Sequence, residues 1–164
     1  MFLILLGILT TLSLPPFNYF FINFLTFTFF FLYLDKKSKE HNDKFSFFTY
    51  GWLFGFGYFF TNLYWISISL TFDQNYKFLI PLTVILIPSF LAIFYGLVSF
   101  LFLIYKPKKI ISSLILFSLI FGILEFIRGS ILTGFPWNLI AFSFSNQLKF
   151  ISITSIIGTY GFNL

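Results

Sequence analysis

The 164-residue sequence has no cysteine, one histidine, one methionine and only five acidic side chains. Without cysteine there is no disulfide frame, no thiolate metal site and no cysteine nucleophile. Charge of either sign is scarce. Charged residues make up 9% of the chain, against about 25% in a typical soluble domain, too few to cover a soluble globule of this size. What fills the chain instead is 59% hydrophobic and 26% aromatic, with a mean hydropathy of +0.95. Length allows one domain, residues 1–164, and composition makes it an integral membrane protein. The 30 phenylalanines fit either the codon bias of an AT-rich genome or selected aromatic packing, and no function is inferred from them.

A net charge of +5 raises the question of nucleic acid, but its distribution answers no. Seven of the ten basic residues fall in two short stretches, Lys36, Lys37, Lys39 and Lys44, then Lys106, Lys108 and Lys109. Lysines flanking apolar runs mark membrane topology beside anionic headgroups. Charge-free runs lie between them, and about 20 apolar residues cross the ~30 Å hydrocarbon core as a helix. The first run is broken at Leu14-Pro15-Pro16-Phe17-Asn18, because two prolines remove donors and force a turn. It has neither the basic start nor the small-residue cleavage site of a signal peptide. The expected architecture is an all-α, polytopic transmembrane helical bundle of about six helices. These are placed near 2–14, 18–34, 45–72, 78–105, 110–128 and 150–164, the first short and the last apparently truncated within a span. Alternating short strands are lacking, which argues against a β-barrel.

Seven basic residues in 35–44 and 106–109, against three elsewhere, put those stretches and the N-terminus in the cytoplasm. Residues 73–77 and 129–149 then face outward. Gly51 and Gly55 form a small-xxx-small pair suited to close helix approach. Pro81 and Pro88 are expected to kink the fourth helix.

Ionisable groups within apolar segments are the first functional candidates in such a protein. Glu125 and Arg128, three residues apart, share a helix face and can pair. At ~1.5 Å per residue, Glu125 stands roughly 22 Å from the inner end of its helix, nearer the outer interface than the midplane. The pair is read either as an interfacial salt bridge or as the charged wall of an outward-facing lipid or peptide site. Thr133-Gly134-Phe135-Pro136-Trp137 follows at once. Glycine and proline stop the helix there, while the aromatic rings favour headgroup level. Tyr64 and Trp65 are expected at the same height. His41 sits in the lysine-rich loop with no second ligand nearby, so neither a metal nor any other cofactor is expected.

Leu124-Glu125-Phe126-Ile127-Arg128-Gly129, followed by Leu132-Thr133-Gly134-Phe135-Pro136-Trp137, resembles the signature of bacterial apolipoprotein N-acyltransferases. Leu14-Pro15-Pro16-Phe17, the stretch Gly51–Gly57, Leu63–Ser69 and Ile157–Gly161 agree with that family's membrane domain in order and spacing. The resemblance implies an inner-membrane (cytoplasmic-membrane) enzyme family acting in lipoprotein maturation. Its members move an acyl chain from a phospholipid to the α-amine of a lipoprotein's diacylglyceryl-cysteine. It also implies a Glu-Lys-Cys triad in a nitrilase-like domain, with the cysteine carrying the acyl group as a thioester. The sequence departs from the family there. It has no cysteine and ends before such a domain, so no catalytic residue carries over.

The positions assigned to substrate or lipid positioning are therefore Glu125, Arg128, Thr133, Gly134, Phe135, Pro136, Trp137, Tyr64 and Trp65. Phospholipid and lipoprotein are the implied partners, together with a separate nitrilase-like chain. A small transporter or channel subunit, and a non-catalytic lipid-binding module, are the competing readings.

Overall fold

The computed structural model describes residues 1–131, 136 and 138–163. Among these there are eight α-helices and no strand. They are α1 (Phe2–Thr10), α2 (Phe21–Glu40), α3 (Lys44–Asn62), α4 (Ile66–Ser69), α5 (Ile80–Tyr105), α6 (Ile110–Ser130), α7 (Leu148–Ile151) and α8 (Thr154–Phe162). Short 3₁₀ segments follow α1 and precede α5 and α7. The all-α helical bundle expected from composition is what forms. Two stretches, Gln74–Tyr105 and Ile110–Ser130, are long and apolar enough to cross a membrane.

Helix α3 is the hub. It packs most extensively on α5 and next on α1, and both contacts rest on missing side chains. At Gly51 an added Cβ would run into the Tyr95 carbonyl of α5, and at Gly55 it would lie 2.7 Å from Tyr95 Cβ. The small-xxx-small pair thus faces α5. The order of contacts along α1 and α3, Ile4 on Gly57 and Thr11 on Thr61, makes these two helices parallel. Helix α2 closes the other side with rings. Phe30 stacks on Phe54 at 4.3 Å, while Phe27 and Phe31 meet Phe121 and Phe117 of α6 at 5.1 and 5.7 Å. Much of the phenylalanine surplus is therefore an edge-to-face core.

Helix boundaries depart from the charge-free runs in three places. Helix α2 continues past Leu34 to Glu40, because its charges pair along the helix. Lys39 meets Asp35 and Lys37 meets Glu40, each at 2.6 Å, the one-turn spacing that supports a helix. Helix α3 stops at Asn62 instead of running to 72, and Leu63 leaves the helical region with φ −106° and ψ 6°. The segment 150–164 is not one helix. Its β-branched run Ile151-Ser-Ile-Thr-Ser-Ile-Ile157 is a weak helix former, and Gly158 adopts φ 74°. Pro81 falls in the first turn of α5, where its missing N–H costs nothing, so only Pro88 lies inside that helix.

The two lysine-bearing stretches meet at one end of the bundle. Lys106 Nζ, at the end of α5, lies 2.6 Å from Asp35 Oδ1 and donates to the Asp35 carbonyl and to Ser38 Oγ. Burial pushes the Asp35 carboxyl up, but the hydrogen bonds from Lys106 and Lys39 outweigh it and hold the group below its usual range. Asp35→Asn is expected to cost about 2 kcal/mol at neutral pH, the scale of a charge-assisted hydrogen bond. Because the folded carboxyl titrates below its unfolded value of about 3.9, this stabilisation is complete above that pH. It is lost as pH falls through the depressed folded value. The gap between wild type and Asp35→Asn in denaturation midpoint should accordingly be full at pH 7 and shrink in strong acid.

Candidate functional site

Helix α6 presents Glu125 and Arg128 on one face, and the bundle buries both. Arg128 Nη2 donates to Glu125 Oε2 at 2.6 Å and Nε to Oε1 at 3.2 Å, a two-pronged arrangement that uses both carboxylate oxygens. The side chains are 0% and 2% exposed. The pair is therefore enclosed within the bundle rather than exposed at its surface. Helix α3 supplies its apolar and aromatic cover. The guanidinium stands 5.2 Å from the centre of the Phe59 ring, within reach of a cation–π contact. Tyr95 of α5 turns its buried hydroxyl toward the Glu125 carboxylate.

Next to this core, where α1 and α3 end, a cavity of about 850 Å³ opens, in the size range of small-molecule and lipid-tail sites. Its described lining includes Tyr64, Trp65 and Pro136, three of the residues the sequence singles out. The turn Leu14–Phe17 forms one wall, and Asn138, Phe142 and Ser145 form another. The first wall is held by backbone bonds from Phe17 and Asn18 to the Leu14 carbonyl, 3.1 and 3.0 Å. Asn18 sits at φ 58°, in the left-handed region that asparagine tolerates better than most residues. The floor is polar but uncharged. Thr11 and Thr61 share a 2.5 Å hydrogen bond, and Asn62 Nδ2 donates to the Tyr58 carbonyl at 2.9 Å and to Thr11 at 3.4 Å.

Of the predicted site residues, Tyr64, Trp65 and Pro136 meet at the cavity, and Glu125 with Arg128 forms the buried pair behind it. Thr133, Gly134, Phe135 and Trp137 lie outside the described residues. The two groups are joined by a residue that sequence reading missed. Tyr58 is fully buried beside the pair, and its hydroxyl donates to the Asn138 carbonyl at 2.7 Å. The available signal was a tyrosine one turn before Asn62, on the helix whose glycines had drawn notice for packing alone. His41 Nε2 is 3.3 Å from the Tyr50 hydroxyl. No group of three metal-ligating side chains assembles among the described residues.

Comparison with known proteins gives a consistent pattern. A family described as apolipoprotein N-acyltransferase N-terminal domain matches residues 6–164. The apolipoprotein N-acyltransferase of Rhizobium rhizogenes (strain K84) is 35% identical over 165 residues, covering 96% of this chain and 31% of the relative. That of Rickettsia prowazekii (strain Madrid E) is 39% identical over 160 residues, covering 96% and 31%. A third, from Rhizobium leguminosarum bv. trifolii, is 34% identical over 161 residues, covering 94% and 30%. The chain thus spans about 30% of the length of the curated relatives it matches.

Proposed function

We propose a role from one premise: the chain belongs to the apolipoprotein N-acyltransferase family, as its N-terminal domain. In that role it is a multi-pass domain of the bacterial inner membrane that receives a phospholipid acyl donor. It holds that donor where the acyl chain can be passed to the N-terminal diacylglyceryl-cysteine of a lipoprotein. The transfer needs a nucleophile, and a nitrilase-like catalytic part outside these 164 residues supplies it, either in a longer chain or as a separate one. The domain's contribution is positional. A misplacement of ~1 Å between reacting groups can cost ~100-fold in rate, so a rigid cavity wall matters even without chemistry of its own.

The observation that carries this reading is the cavity of about 850 Å³ bordered by Tyr64, Trp65 and Pro136. An apolar, aromatic-rimmed space with an uncharged hydroxyl and amide floor suits an acyl chain and its ester. Tyr64, Trp65 and Pro136 line it, with Glu125 and Arg128 as its buried support, and Thr133, Gly134, Phe135 and Trp137 are assigned to donor positioning from the sequence motif alone. The membrane setting is supported by the outer faces of α5 and α6. There Leu82, Ile85, Leu86, Phe90, Ile111, Ile115 and Phe126 are all exposed, an apolar surface that water does not favour.

A phospholipid with a photoactivatable acyl terminus tests the cavity. Titrated into the purified chain in detergent micelles, it should label peptides covering Thr61–Trp65 and Asn138–Ser145 saturably, in competition with unlabelled phospholipid. Labelling of the α5 and α6 outer faces should rise without saturation. No saturable labelling at the cavity peptides would sink the acyl-donor reading.

The proposed orientation puts the lysine-bearing end, where Asp35 meets Lys106, in the cytoplasm and the cavity at the opposite, outward end, a reading that the lysine bias supports. The absence of cysteine makes this directly measurable. Asn42→Cys and Asn146→Cys, both at exposed positions, would be probed with an impermeant thiol reagent in cells whose outer membrane is permeabilised. Labelling of Asn146→Cys alone is expected, and the reverse pattern would invert the topology.

A further inference from the structure

We propose that Tyr58 is a positioning residue for the cavity: its hydroxyl fixes the Asn138 side of the wall to the buried Glu125–Arg128 core. The cavity's use as an acyl-donor site rests on the function proposed above, but the mechanical link stands on geometry alone. Tyr58 is 0% exposed, with its ring against Phe59 and Tyr95. A phenol hydroxyl in such surroundings must find a partner or leave a buried donor unsatisfied. Its partner is a backbone carbonyl, that of Asn138, at 2.7 Å. A backbone acceptor means that the bond holds the path of the chain whatever side chain stands at 138.

Asn138 is where such a hold is needed. It sits at φ 57°, in the left-handed region that asparagine tolerates but does not enforce, so a bond to its carbonyl helps to fix the turn. Beyond it, Leu139 is buried and the 3₁₀ segment Ile140–Phe144 begins, carrying Phe142 to the cavity. On the other side, the Tyr58 ring packs on Phe59 and Tyr95, of which Phe59 also lies under the Arg128 guanidinium. Tyr58 also stands in α3, whose next turn supplies Thr61 and Asn62 to the cavity floor. One side chain therefore ties floor, wall and charged core together.

Tyr95 provides a built-in comparison. Its ring stacks on Tyr58 at 5.9 Å, and it borders the same pair. Its hydroxyl, however, faces the Glu125 carboxylate and makes no bond to the wall. A tyrosine-to-phenylalanine change at either position removes one buried oxygen from the same neighbourhood, and only one of the two removes the tie.

The experiment uses the full chain in detergent micelles as wild type, Tyr58→Phe and Tyr95→Phe. Amide hydrogen exchange is followed by peptide, and the photoactivatable phospholipid is titrated in parallel. In Tyr58→Phe, exchange across Leu139–Ser145 should accelerate about tenfold, the factor that corresponds to about 1.4 kcal/mol. Peptides from Phe94–Phe102 and Phe117–Leu124 should keep wild-type exchange. Half-saturation of the cavity label should move severalfold to higher probe concentration, and Tyr95→Phe should leave exchange across Leu139–Ser145 unchanged. Unchanged exchange across Leu139–Ser145 in Tyr58→Phe would overturn the proposal. So would acceleration spread equally through α3, α5 and α6, since Tyr58 would then be an ordinary core residue. If wild type shows no saturable labelling, the acyl-donor reading fails, and the exchange pattern alone still decides the role of Tyr58.

Discussion

Arg128→Ala is expected to lose about 3–5 kcal/mol of stability, the usual cost of removing one member of a buried ion pair. Both oxygens of Glu125 accept from Arg128, and the carboxylate is 2% exposed. Truncating the arginine leaves that charge without its partner, in a place water does not reach. The aromatic contact to Phe59 is lost at the same time. Glu125→Ala should cost a similar amount, because it strands the guanidinium instead. Arg128→Lys should fall between, since an ammonium cannot reproduce the two-pronged fork. Replacing both, as Glu125→Leu with Arg128→Met, should recover part of the loss by removing the charges together. Denaturation midpoints of the four variants in one detergent measure this order. Arg128→Ala within about 1 kcal/mol of wild type would mean that the pair does not support the cavity.

That burial is also where sequence reading stopped short. The spacing of Glu125 and Arg128 shows that they can pair on one helix face, and their distance along α6 sets their height. Neither says which way the face points. Depth within the bundle comes from α3 and α5, residues far off in sequence whose own apolar patterns are nearly uniform around the helix. In a chain so rich in phenylalanine, one face hardly differs from another in hydrophobicity, so inside and outside are not written in the period. Small and polar residues are more legible. Gly51 and Gly55 announce a close contact, and the contact is there with α5. Pro15 and Pro16 announce a turn, and the backbone turns at Leu14.

The helix ends tell the same story from another side. Lysines and acids between Asp35 and Glu40 read as a loop when counted as charges. At one-turn spacing they form pairs that carry α2 onward. Conversely, the uncharged run from Phe45 to Phe72 reads as a single helix, yet α3 ends at Asn62. Asn62 turns its amide back onto the Tyr58 carbonyl, a side-chain bond of the kind that competes with helix continuation. That early end is what leaves Tyr64 and Trp65 at the cavity. Tyr58 escaped notice for a related reason. Its importance lies in a bond to a residue 80 positions away, and no local pattern encodes such a partner.

Gly57→Leu is expected to be the second most damaging change, because it acts where two backbones touch. A Cβ at Gly57 would lie 3.0 Å from the Ile4 carbonyl carbon of α1, and closer still to its oxygen. On the facing helix, a Cβ at Gly7 would stand 2.8 Å from the Tyr58 amide nitrogen. Neither contact can be relieved by rotating a side chain, so the helices themselves must part. Overpacking of this kind costs about 1–3 kcal/mol and sometimes more, and backbone against backbone belongs at the upper end. The effect should also reach the cavity. Helix α1 leads directly into Thr11 and the Leu14–Phe17 wall, and the Thr11–Thr61 bond of 2.5 Å joins that wall to α3. Pushed outward by a leucine, α1 should break this bond and weaken saturable phospholipid labelling by about tenfold, even at a temperature where the bundle remains folded. Gly161→Ala serves as the comparison, since its Cβ would meet only the Ile157 side chain at 3.3 Å, and it should stay within about 0.5 kcal/mol of wild type. Equal stability and equal labelling for Gly57→Leu and wild type would show that α1 does not depend on the glycine crossing to shape the cavity.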